Sequence, residues 1–261
     1  MIAGDIMTTS LLTVDKDRNI EDAMRIMEKH GVSRLLATEK GRVVGIITES
    51  DIAERLASGR ERKLKIDHIH VSAGMKKYLR VVYPETDVRE VAAEMIKQGI
   101  SSLVVEDKGV VVGIVTKTDL VRTLSGSKKR IEGFYTRNPV FCNLGDSLVQ
   151  VRKLMLERGI HRVIVSDKGM IVGMVTDRDM ARGLRTYRMA LDKFHHPDLG
   201  KFTVENVMAR DPILVEPKMG VGELVKLMLE KRISGFPVVC ENYGVITKTD
   251  LVRALAEGGL P

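Results

Sequence analysis

The sequence repeats the pattern G-x-x-T-x-x-D four times, at Gly45 to Asp51, Gly113 to Asp119, Gly173 to Asp179 and Gly244 to Asp250. Chance would supply about 0.1 such matches in a chain of this composition, so the repeat is a structural unit. Upstream landmarks keep step with it. Met7 to Asp51, Met75 to Asp119 and Tyr135 to Asp179 each span 44 positions, and Met208 to Asp250 spans 42. Successive motif threonines lie 68, 60 and 71 residues apart, which puts the length variation in linkers. Four small modules of constant size follow one another.

Within a module the order reads strand, helix, strand, strand, helix. Short extended openings (Leu12-Thr13-Val14, Arg80-Val81-Val82, Pro139-Val140-Phe141, Pro212 to Val215) precede helices with apolar residues at helical spacing, such as Ile20, Ala23, Met24 and Met27. Asp87 with Glu90 forms a capping-box signature for the second of these helices. Gly31, Gly99, Gly159 and, in the fourth repeat, Arg232 mark helix stops. Two β-branched runs then meet at turns such as Asp107-Lys108-Gly109 and Asp167-Lys168-Gly169, the signal for a hairpin. The fourth repeat is two residues shorter here. A second helix begins at Thr-x-x-Asp. The fold class is therefore α/β. A module of roughly 50 to 60 residues buries too little surface alone, so the first is expected to pair with the second and the third with the fourth. Met24, Met27, Met95, Met155 and Met228 fall on core positions and read as packing.

At 261 residues, with 44% hydrophobic and 30% charged side chains, the chain suits two compact domains. It has no run of 18 apolar residues and no secretory leader, so a soluble, cytoplasmic protein away from membranes is expected. Cys142 and Cys240 sit in strand-like runs and read as buried thiols of a reducing compartment. The +7 net charge is concentrated in the second half, where residues 121 to 188 hold 14 basic and 6 acidic side chains. Lys128-Lys129-Arg130 and Arg182, Arg185 and Arg188 offer a surface for an anionic partner such as RNA. Taken alone, the last three, spaced by three, read better as the solvated face of a helix. His68, His70, His195 and His196 lie in linkers without cysteine partners, so no metal site is expected, and His30 suits a helix C-terminus.

Thr followed three residues later by Asp is itself a helix cap. The cap does not explain the glycine, which permits close backbone approach, nor the hydroxyls Ser50, Thr118 and Thr249 before the acid. A helix start with free N–H groups and hydroxyls suits phosphate, and a nearby carboxylate accepts bonds from paired sugar hydroxyls. Phosphate with ribose points to a nucleotide.

These junctions, with opening segments such as Asp5-Ile6-Met7-Thr8 and Asn206-Val207-Met208, resemble the cystathionine-β-synthase (CBS) domain family in four consecutive copies. The resemblance implies CBS repeats at 1–58, 69–126, 130–188 and 202–258, assembled as two Bateman modules, 1–126 and 127–261. The four-copy layout resembles the γ subunit of AMP-activated kinase and stand-alone archaeal and bacterial CBS proteins. It implies adenosine ligands: AMP, ADP or ATP, with S-adenosylmethionine and NAD as further options. Ribose contacts fall to Asp51, Asp119, Asp179 and Asp250, and phosphate or ribose contacts to Thr48, Ser50, Thr116, Thr118, Thr176, Thr247 and Thr249. The copies differ. The third carries His161 and Arg162 where family members hold phosphates, and Arg178 in place of the hydroxyl. The first has Arg34 matching Arg162. The second and fourth have no cation there and would draw on Lys117, Lys248 or a partner module.

The expected function is a non-catalytic sensor of adenine nucleotides that signals to a protein partner through a change of shape. The alternative is an RNA- or ribosome-binding factor on the same scaffold, contacting phosphates because aromatic residues are only 4% of the chain. No nucleophile and base pair or P-loop speaks for an enzyme. The two modules either close on each other or pair with a second chain as a homodimer.

Overall fold

The computed structural model describes residues 1–57, 65–193 and 202–261. Repeat 1 comprises α1 (Ala3–Ile6), β1 (Thr13–Asp15), α2 (Ile20–His30), β2 (Arg34–Glu39), β3 (Arg42–Thr48) and α3 (Glu49–Ala57). Repeat 2 comprises α4 (Val71–Gly74), β4 (Val81–Val82), α5 (Val88–Lys97), β5 (Ser102–Asp107), β6 (Val110–Thr116) and α6 (Lys117–Arg122). In repeat 3 these become β7 (Thr136–Arg137), β8 (Phe141–Asn143), α7 (Leu148–Glu157), β9 (Arg162–Asp167), β10 (Met170–Thr176) and α8 (Asp177–Lys193). Repeat 4 has a 3₁₀ turn (Val204–Asn206), β11 (Ala209–Arg210), α9 (Val221–Glu230), β12 (Gly235–Val238), β13 (Gly244–Thr247) and α10 (Lys248–Ala256).

Local chemistry explains the boundaries. Asn19 caps α2 by accepting from the N–H of Asp22, and Gly31 ends the helix in the left-handed region at φ 66°. His30 is the last residue of that helix. Asp87 caps α5 through the N–H of Arg89, in place of the expected pairing with Glu90. Lys40-Gly41, Lys108-Gly109 and Lys168-Gly169 each place two consecutive residues at positive φ, which gives the tight hairpin turn whose twist matches the flanking strands. In the shortened fourth hairpin the positive φ falls on Tyr243, and Arg232 ends α9 at φ 55° where the other repeats use glycine. In the first three repeats the first strand runs parallel to the hairpin, β1 beside β2, β4 beside β5 and β8 beside β9, so those sheets are mixed, whereas in the fourth a single parallel bridge, Val215 to Val238, takes its place. The five methionines expected in the core are all at most 5% exposed.

Contacts divide the chain into two compact units that cut across sequence order. The first unit is Met1–Leu11, Leu79–Pro139 and Ile213–Pro261, and the second is Leu12–Tyr78 and Val140–Pro212. Each has its own hydrophobic core. In the first, α10 packs on α5 and α6, joining repeats 2 and 4. In the second, α3 packs on α8, joining repeats 1 and 3. The expected sequential modules, 1–126 and 127–261, are therefore not the groups that pack most densely. What ties sequence neighbours together is an exchange of opening segments. Thr8 of repeat 1 bridges Ile114 of repeat 2, while Lys76 at the start of repeat 2 bridges Ile46 of repeat 1. Likewise β7, at the start of repeat 3, pairs with β13 of repeat 4, and β11, at the start of repeat 4, pairs with β10 of repeat 3.

Candidate functional site: four strand-to-helix junctions

All four motif aspartates act first as helix caps. One carboxylate oxygen, Oδ2, accepts from the motif threonine's N–H at 2.8–2.9 Å and from its hydroxyl at 2.6–2.7 Å. At three junctions the threonine hydroxyl accepts in return from helix N–H groups: Thr48 from Asp51, Thr116 from Thr118, and Thr247 from Thr249 and Asp250. This is the reciprocal cap expected of the residue pair, and it fixes the carboxylate in one rotamer. The cap uses only one oxygen. Oδ1 of Asp51 lies 3.4 Å from Lys76 Nζ, that of Asp119 lies 3.2 Å from Arg122, and that of Asp250 accepts from Thr136 at 3.1 Å. Among the described residues no side chain bonds to Oδ1 of Asp179. Asp179 lines a cavity of about 330 Å³ with Arg182, Thr186, Phe202, Asn206 and Val207. Three aspartates are 6–7% exposed, and Asp179 is half-buried.

The motif glycine is required by the exchanged opening segment. A Cβ on Gly113 would stand 2.5 Å from Met7 Sδ, and one on Gly173 would stand 2.5 Å from Met208 Sδ and 2.9 Å from Ala209 O. On Gly45 it would meet Lys76 O at 2.8 Å, and on Gly244 the Tyr135 ring at 2.6 Å. Sequence reasoning expected close backbone approach at these glycines without naming what approaches. The Met7, Met75, Tyr135 and Met208 spacing already carried that answer. The same close approach brings Lys76 beside Asp51 and Thr136 beside Asp250.

The junctions differ in the residue after the threonine. It is Glu49, Lys117, Asp177 and Lys248 in chain order, acidic in the second unit and basic in the first. In the first unit each lysine crosses to the other repeat: Lys117 Nζ donates to Thr249 Oγ1 at 3.0 Å and Lys248 Nζ to Thr118 Oγ1 at 2.8 Å. In the second, Glu49 pairs with Arg178 at 2.7 Å, while Asp177 holds Arg152 at 2.6 Å and His161 at 2.7 Å. Arg152 is 1% exposed, and its other nitrogen donates to the carbonyl and hydroxyl of Ser50 at 2.9 and 3.0 Å. Burial pushes the Glu49 carboxyl above the usual carboxylate range, and the Arg178 guanidinium offsets part of that rise. The sequence reading missed Arg152 and the alternation of charge, although the second is visible once repeats 1 and 3 are set beside each other.

Of the other residues singled out, Arg34 donates to Ser33 Oγ at 3.1 Å, and Arg162 opens β9, half-buried. The basic face expected on α8 is solvated only in part, at Arg182. Arg182 pairs with Glu28 at 3.1 Å, Arg185 pairs with Glu21, and Arg188 is 1% exposed, because α8 lies in the same unit as α2 and its acids. Lys128, Lys129 and Arg130 are exposed on a ribbon bound to the start of α9, with Val221 N–H donating to Lys129 O at 2.7 Å. His195 and His196 lie outside the described residues. Among the described residues no three His, Cys, Asp or Glu side chains gather as a metal site, and no helix is long and apolar enough to cross a membrane.

Four copies of a capped strand-to-helix junction, each closed by a neighbour's opening segment, define a tandem-repeat α/β protein. The CBS domain family matches residues 3–58, 68–126, 131–186 and 204–257, and the chain belongs to that family. Protein MJ1404 of Methanocaldococcus jannaschii is 27% identical over 269 residues, 97% of this chain and 61% of its own length. MJ1225 of the same organism is 24% identical over 268 residues, 94% of this chain and 95% of that one. The MJ1225 crystal structure, reported as that of a candidate archaeal homologue of γ-AMPK, superimposes with a TM-score of 0.87 at 22% identity, covering 98% of this chain and all of that one. The L-aspartate semialdehyde sulfurtransferase of that organism is 36% identical over 129 residues, 49% of this chain but 24% of the enzyme.

Proposed function

We propose that this chain is a non-catalytic adenine-nucleotide sensor, which binds AMP, ADP, ATP or a related adenosine compound at its junctions and passes the bound state to a partner by a change in shape. One observation carries the reading: each motif carboxylate is locked by one oxygen, and at Asp179 the second is left over beside a cavity. A fixed carboxylate with a spare acceptor suits the paired hydroxyls of a ribose. Ser50, Thr116, Thr118, Thr176, Thr247 and Thr249 place hydroxyls at the same helix starts, and His161, Arg162, Arg178 and Arg34 add cations in the third and first repeats, besides Lys76 at Asp51 and Arg152 at Ser50 and Asp177. A ligand that binds one arrangement of the repeats better than another shifts their equilibrium, and the partner reads the shift. Such ligands belong to the cytoplasm. Calorimetry with AMP, ADP, ATP, S-adenosylmethionine and NAD tests the reading. Saturable binding of at least one, weakened about tenfold or more by Asp179→Asn, is expected; no binding of any would refute it.

A second reading rests on Lys128, Lys129 and Arg130. Their ribbon is pinned to the fold, and with Arg89 it borders an open cleft of about 490 Å³ in which no acidic residue takes part. RNA phosphates suit it. Binding to structured RNA should weaken steeply between low and physiological salt and vanish when the three residues become alanine; salt-independent binding would count against it.

A further inference from the structure

Three repeats carry an arginine three residues after the motif aspartate: Arg122, Arg182 and Arg253. Residues three apart on a helix are neighbours, so the guanidinium can fold back onto its own repeat's carboxylate. In repeats 2 and 4 it does. Arg122 Nη1 stands 3.2 Å from Asp119 Oδ1, and Arg253 Nη1 stands 3.5 Å from Asp250 Oδ1. Arg182 is drawn elsewhere. Its Nε donates to Glu28 Oε1 of α2 at 3.1 Å, and among the described residues no side chain bonds to Asp179 Oδ1. Glu28 is itself exceptional. When the first helices are set on their stops at Gly31, Gly99, Gly159 and Arg232, the position of Glu28 holds Ile96, Leu156 and Leu229 in the other repeats. A module therefore does not need an acid there to fold. Where that position is apolar in the first unit, the arginines rest on their own aspartates.

Where Arg182 rests decides what the neighbouring space can accept. Asp179, Arg182, Gly183 and Thr186, spaced by three and four along α8, line one side of the cavity of about 330 Å³. The cavity thus follows the flank of the helix, with Leu148, Phe202 and Val207 as its apolar wall. A guanidinium folded onto Asp179 would fill part of that space and take up the spare carboxylate oxygen. One arginine faces two carboxylates here. The pair it makes with Glu28 is exposed, 53% and 40% for the two side chains, and such pairs are weak, so removing one partner is enough to move it to the other.

We propose that Glu28 is a positioning residue of the third junction: by holding Arg182 it keeps Asp179 open to the paired hydroxyls of a ribose, whereas Arg122 and Arg253 cover the corresponding aspartates of the second and fourth. The inference rests on the adenosine reading above. Its first test needs no ligand. A crystal structure of the whole chain carrying Glu28→Gln should show Arg182 folded onto Asp179 Oδ1 as Arg122 is onto Asp119. The second test is calorimetry with AMP, ADP, ATP, S-adenosylmethionine and NAD. Whichever of these the unaltered chain binds most tightly should bind Glu28→Gln about two- to fivefold more weakly, the range of an exposed ion pair, and Glu28→Asp should recover part of the loss. Glu28→Gln should cost nothing in chains that already carry Arg182→Ala or Asp179→Asn. Arg182 still pointing away in the Glu28→Gln structure, unchanged affinity in that variant, or an equal loss with and without Arg182 would each overturn the inference and leave the adenosine reading standing. Binding that ignores Asp179→Asn would do the same, by placing the compound at another junction. Failure of all five compounds to bind the unaltered chain would instead remove both.

Discussion

Gly113→Ala tests whether the motif glycine exists to admit the exchanged opening segment. The added Cβ would lie 2.5 Å from Met7 Sδ, 2.9 Å from Cγ and 3.1 Å from Cβ. The sulfur can swing away, but the Met7 backbone cannot easily follow. Thr8 is held by two bonds to Ile114, at 2.9 and 3.0 Å. Overpacking of this kind costs about 1–3 kcal/mol. Alanine regains about 0.5–1 kcal/mol over glycine in a strand through the unfolded chain. The net loss is centred on about 1 kcal/mol and is at most about 2.5 kcal/mol, or roughly 2–8 °C in melting temperature for units of this size. Differential scanning calorimetry of Gly113→Ala, Met7→Ala and the double variant completes the cycle. Trimming Met7 removes the collision, so the double variant should be at least about 1 kcal/mol more stable than the sum of the singles predicts. Gly222→Ala is the contrasting control, because its Cβ would meet only backbone nearby, Ser125 O at 2.6 Å and Ser127 O at 2.9 Å. A Gly113→Ala protein that melts at or above the parent, or strict additivity with Met7→Ala, would refute the argument.

Three further outcomes are expected. Glu49 has a raised carboxyl pKa in the folded state because of burial, so the stability it contributes is fully present below its unfolded pKa and is lost as pH rises through the folded value. Urea unfolding of the parent and Glu49→Gln should accordingly show the parent losing ground to the variant as pH climbs above the ordinary carboxylate range; a gap that widens in the parent's favour would mean that the Arg178 pair dominates. Arg232→Gly should stabilise the chain by about 1 kcal/mol, since only the fourth repeat ends its first helix with a side chain in the left-handed region; chemical denaturation showing a loss would count against it. Burial pushes the Cys142 thiol up to about 12, so iodoacetamide at pH 8 should leave it unmodified in the folded protein, and peptide mapping that finds it alkylated as fast as a free thiol would contradict its placement.

The junctions were legible because everything that builds them is local. The threonine, the acid three residues on and the glycine before them form the cap, the strand end and the gap within seven positions. Hairpin turns at Lys108-Gly109 and Lys168-Gly169 were legible for the same reason. The linkage between repeats was not. Arg182, Arg185 and Arg188 looked like a solvated stripe because the acids that meet the first two, Glu28 and Glu21, stand 154 and 164 residues away. Nothing local singles out Arg152 of α7, whose burial comes with partners 25 and 102 residues away, Asp177 and Ser50. The grouping of alternate repeats arises from helix-on-helix packing, for which no short pattern exists. The alternation of charge was visible in principle, Glu49 and Asp177 in repeats 1 and 3 and Lys117 and Lys248 in repeats 2 and 4, but only to a reader who already knew which repeats meet.

Because each repeat lends its opening segment to its neighbour, no continuous stretch of polypeptide holds a finished unit. A chain emerging from the ribosome must reach Pro212 before the second unit has all its parts, and the first unit, begun at Met1, waits for Ile213 to Pro261. Synthesis therefore leaves apolar faces of α5 and α6 uncovered while more than a hundred residues are still to come. The helix that shelters them, α10, is made long after both.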